Sequence, residues 1–74
     1  MTFDPRRAAI IQGKLDITRD LDNDARLSFL ERAQLRLELM TALDAYEAGR
    51  ADASATDRAL DDIRRRMQQC AATA

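Results

Sequence analysis

The sequence predicts an all-α fold, a small three-helix domain. Its second and third helices form an antiparallel hairpin (about residues 24–48 and 55–71), and a shorter N-terminal helix (about residues 5–20) lies alongside. Three observations carry that expectation. Residues 24–48 contain no proline or glycine and are rich in Leu, Ala, Arg and Glu, all good helix formers. Ala59, Leu60, Ile63, Met67 and Cys70 recur at the spacing of one helical face. The stretch between them, around Gly49, is short enough that the two helices must fold back on each other. A chain of 74 residues makes a single domain, 1–74.

The first helix opens at Asp4-Pro5, where aspartate can cap free backbone N–H groups and proline suits the first helical position. Ala8, Ile11 and Leu15 follow at helical spacing, with Ile10 beside them. Gly13 interrupts that pattern and is expected to end or bend the helix. The second helix carries two apolar stripes. Phe29, Leu30, Ala33, Leu37 and Met40 share one; Leu35, Leu39, Ala42, Leu43 and Tyr46 share the other; Arg32 and Arg36 lie between them. A helix apolar on two sides is expected to touch two neighbours, which makes this one the spine of the fold. In "YEAGRADASATDRAL", Gly49 can take the left-handed conformation that closes a helix. Ser54 or Thr56 is expected to cap the third helix, with Asp57 in its first turn.

Composition narrows the function classes. Apolar residues are 46% of the chain but aromatics only 4%, so large core side chains are few and an oligomer or a partner is expected. Charged residues are 34% yet sum to a net charge of -1, which provides no field for nucleic acid or an anionic membrane. Without histidine the commonest general base and transition-metal ligand are missing. Catalysis would rest on carboxylates in a domain with little room for a cleft, so neither an enzyme, a small-molecule substrate nor a cofactor is expected. Cys70 stands alone and fits a reducing, cytoplasmic setting. "AAII" after Arg6 and Arg7 is too short for a signal-peptide core, and no stretch could span a membrane. Eleven arginines against one lysine, with abundant alanine and aspartate, point to GC-rich coding, as in a bacterium or its phage.

One stretch has the spacing of a site. In "DLDNDARLSFLE", Asp20, Asp22, Asp24, Ser28 and Glu31 occupy the first, third, fifth, ninth and twelfth positions, with Leu27 at the eighth. Over these twelve residues the sequence resembles an EF-hand loop, which implies a calcium ion bound by those five side chains. The departures are Ala25 at the position of the sharp-turn glycine, Asp16 and Arg19 in place of apolar residues before the loop, and Arg32 just after it. The competing reading is helix capping: Asp20, Asp22, Asn23 and Asp24 precede the long second helix, and Ser28 with Glu31 fits a capping box. Capping is the preferred reading.

Arg64, Arg65 and Arg66 raise nucleic-acid binding as a further alternative, a small helical nucleic-acid-associated regulator. They are expected in the last turns of the third helix, with Asp61 and Asp62 four residues before Arg65 and Arg66 and no aromatic neighbour for base stacking. The expected function is therefore a helical protein–protein interaction module: an adaptor, a co-chaperone, or a bacterial or phage regulator or inhibitor. The third helix can cover one stripe of the second, and a short first helix only part of the other. Arg32, Leu35, Arg36, Leu39, Leu43 and Tyr46 are the expected partner-binding residues, meeting a second copy or another protein.

Overall fold

Asp4 and Pro5 start α1 (Pro5–Asn23). The Asp4 carboxylate accepts from the backbone N–H of Arg6 at 3.0 Å and of Arg7 at 3.4 Å. Proline takes a first-turn position, where no helical hydrogen bond is lost. The computed structural model describes Asp4 to Thr73, with side chains to Gln69. The Cys70 side chain, expected on the apolar face of the third helix, lies outside the described residues.

Helix α1 does not end or break at Gly13. It runs on to Asn23 and, at 19 residues, equals α2 (Phe29–Glu47) in length. Gly13 is buried where α1 meets the third helix. A Cβ there would lie 3.1 Å from Leu60 Cδ1 and 3.1 Å from Arg64 Nη2, so the missing side chain lets the two helices approach. Glycine weakens a helix by about 1 kcal/mol relative to alanine, and burial of Ile10, Ile17 and Leu21 on the same face offsets that. The inward row of α1 is Ile10, Gly13, Ile17 and Leu21, with glycine as a packing position. The Ala8, Ile11 and Leu15 row faces away instead, Ile11 and Leu15 keeping 47% and 55% of their surface.

The turn between α1 and α2 also lies later than the sequence reading placed it. Helix α2 starts at Phe29, not at Asp24, because its cap is Ser28. Ser28 Oγ accepts from the Glu31 backbone N–H at 3.1 Å, and the Glu31 carboxylate accepts from the Ser28 backbone N–H at 3.1 Å. This is the expected capping box. Asp20, Asp22 and Asn23 belong to the last turn of α1 and do not cap α2. Leu27 points back into the core from the turn.

The second turn is as the sequence predicts at Gly49, which has φ +79°. The Arg50 N–H donates to the Ala45 carbonyl at 2.8 Å and the Gly49 N–H to that of Tyr46 at 3.1 Å, the two bonds of a Schellman closure. Helix α3 (Ala53–Thr73) begins two residues before the predicted start. Its cap is Asp52, whose Oδ1 accepts from the Ala55 N–H at 2.8 Å, rather than Ser54 or Thr56. Thr56 is buried, its hydroxyl donating to the Asp52 carbonyl at 2.8 Å, and Asp57 consequently lies beyond the first turn.

Both connections are five residues long, so α2 runs antiparallel to each neighbour and α1 runs in the direction of α3. The result is an all-α three-helix bundle measuring 44 × 20 × 15 Å, with no strand among the described residues. Its core joins Ile10, Ile17 and Leu21 of α1, Leu27 of the turn, Leu35 and Leu39 of α2, and Leu60, Ile63 and Met67 of α3. Burying each such side chain stabilises the fold by about 1.5–3 kcal/mol before the entropy of ordering is subtracted. Among the described residues no helix is long and apolar enough to cross a membrane.

Candidate interaction surface

The packing decides which stripe of α2 faces solvent, and it is not the one the sequence reading selected. Leu35 and Leu39 retain 2% and 3% of their surface, and Leu43 and Tyr46 are partly buried against the same cluster. Arg32 turns back over the first loop, where its Nη2 donates to the Asp24 carbonyl at 2.8 Å and to that of Leu27 at 3.4 Å. Its Nε is buried without a partner among the described residues. Arg36 pairs with Asp22 across the seam between α1 and α2. The six expected partner-binding residues therefore form core and helix-to-helix fastenings. The cause is the length of α1: an unbroken α1 and α3 together cover the stripe that a short first helix would have left open.

The exposed stripe is the other one. Phe29 keeps 88% of its surface, Leu30 66%, Leu37 65% and Met40 55%, with Ala33 also exposed among them. These residues were visible in the sequence as an apolar row; what the sequence did not show is that none of the described residues covers them. Beside the row, Leu37 and Thr41 form one wall of a shallow groove of about 410 Å³ between α2 and α3. Ala42, Ala59 and Ile63 line it, and an ion pair between Arg66 and Glu38 fastens the two helices there. The groove and the row form one apolar surface that meets at Leu37.

The five EF-hand positions do not form a common loop. Asp20 and Asp22 are on α1, Asp20 lying 3.9 Å from the Arg19 guanidinium and Asp22 pairing with Arg36. Ser28 and Glu31 are engaged in the cap of α2. Asp24 sits in the turn, its Oδ1 accepting from the Arg26 backbone N–H at 3.0 Å and from Arg26 Nε at 3.1 Å, and its Oδ2 from Nη2 at 3.3 Å. The Arg26 side chain, then its backbone N–H, holds the Asp24 carboxyl below its ordinary value. Ala25 does not take the positive φ that an EF-hand turn requires at that position. Among the described residues no group of three or more His, Cys, Asp or Glu side chains could hold a metal ion.

Arg64, Arg65 and Arg66 lie in the interior of α3 rather than in its last turns. Arg64 pairs with Asp61 at 3.0 Å, Arg65 with Asp62, and Arg66 with Glu38 of α2. The first two pairs are three residues apart, one fewer than the sequence spacing suggested, and the third links two helices.

Fold and surface together define a small three-helix bundle with an exposed apolar face on its middle helix. The chain matches no protein-family model, no curated protein and no solved structure.

Proposed function

We propose that this chain is a small non-enzymatic helical interaction module of bacterial or phage type, acting in the cytoplasm by protein–protein contact through the outward face of α2. The observation that carries this reading is the row of Phe29, Leu30, Leu37 and Met40, four large apolar side chains each more than half exposed on one helix. Single exposed apolar residues are ordinary, but a contiguous row on a monomer commonly marks a contact site. An adaptor, co-chaperone, regulator or inhibitor would use such a row as a helix face laid against a partner's groove or helix. The network behind it suits that role, since Arg36–Asp22, Arg66–Glu38 and the Arg32 contacts to the first turn fix the helix that presents the row.

The test is site-specific photo-crosslinking in the native host, with the photoreactive residue at position 37 or, as a control, at exposed Arg58 of α3. A discrete adduct of defined mass from position 37 and none from position 58 is the expected result. Equal, diffuse labelling from both positions would sink the assignment of the face.

A further inference from the structure

We draw no further inference here: the strongest candidate, the exposed apolar row of Phe29, Leu30, Leu37 and Met40 on α2 with the shallow groove beside it, belongs to the surface already described, and nothing in the structure shows what covers it.

Discussion

On the inward face of α2, Leu35 and Leu39 keep 2% and 3% of their surface; on the outward face Leu30 and Leu37 keep 66% and 65%. The two faces have the same residue chemistry and opposite environments. The difference comes from the geometry of a three-helix bundle. Two neighbours of α2 do not sit on its opposite sides: α1 and α3 run side by side, and both pack against one broad face. An apolar stripe on each side of a helix therefore does not mean one neighbour for each stripe. It means one stripe for the bundle and one exposed stripe.

The contrast makes its largest prediction at two leucines separated by half a turn. Leu39→Ala should destabilise the fold by about 2–4 kcal/mol, as buried leucine truncations do. Leu37→Ala at monomer concentrations should stay within about 0.5 kcal/mol of wild type, as exposed substitutions do. Leu60→Ala should behave like Leu39→Ala, because it meets the same cluster from α3. Chemical denaturation of the three variants checks this, and equal losses at positions 37 and 39 would erase the distinction between the faces.

Much of this architecture was legible in the sequence, and the misreadings share a cause. The caps at Asp4, Ser28 and Gly49 were readable because each is local: a side chain or a backbone angle satisfies groups within a few residues. The single stripe of Leu60, Ile63 and Met67 on α3 left one way for that helix to face. Gly13 was not readable, because its meaning depends on Leu60 and Arg64, residues far along the chain that only the fold brings near. Once α1 is read as short, ending near residue 20 and interrupted at Gly13, the inward stripe of α2 is left uncovered. The choice of Leu35, Leu39, Leu43 and Tyr46 over Phe29, Leu30, Leu37 and Met40 follows from that one step. Arg32 and Arg36 misled for a related reason. A cation between two apolar stripes reads as an interface rim, yet here it fastens a turn and a neighbouring helix.

Gly13 sharpens the same comparison from the side of α1. Replacing it by leucine should destabilise by about 1–3 kcal/mol, the usual range for overpacking, because the space beyond its Cα is occupied by Leu60 and Arg64. Leucine is a far better helix former than glycine, so a stabilised variant would mean that the α1–α3 contact is loose and that propensity decides. A thermal melt distinguishes the two. The next effect down the scale is at the start of α2. Ser28→Ala should cost about 1 kcal/mol through loss of the cap, and Glu31→Gln less, since glutamine can still accept from the Ser28 N–H. Matching stability for Ser28→Ala and wild type would show that the turn holds α2 without its box.

The smallest effect concerns Asp24, which fixes the turn from which the outward face begins. Its carboxyl is held below the ordinary value of 3.8, chiefly by the Arg26 side chain and next by the Arg26 backbone N–H. With the folded pKa depressed, the unfolded chain binds the proton first as pH falls. The contribution is therefore complete above the ordinary carboxylate range and is lost as pH drops through the folded value. Asp24→Asn keeps an acceptor for the Arg26 N–H groups but removes the charge. The difference in melting temperature between wild type and Asp24→Asn should thus be constant from neutral pH down to about pH 5 and shrink below that. Arg26 is largely exposed, so added salt should reduce the difference as well. A difference that grows on acidification would mean that Asp24 is less readily ionised in the fold than in the unfolded chain, and that the turn is held by the Arg32 contacts to the Asp24 and Leu27 carbonyls alone.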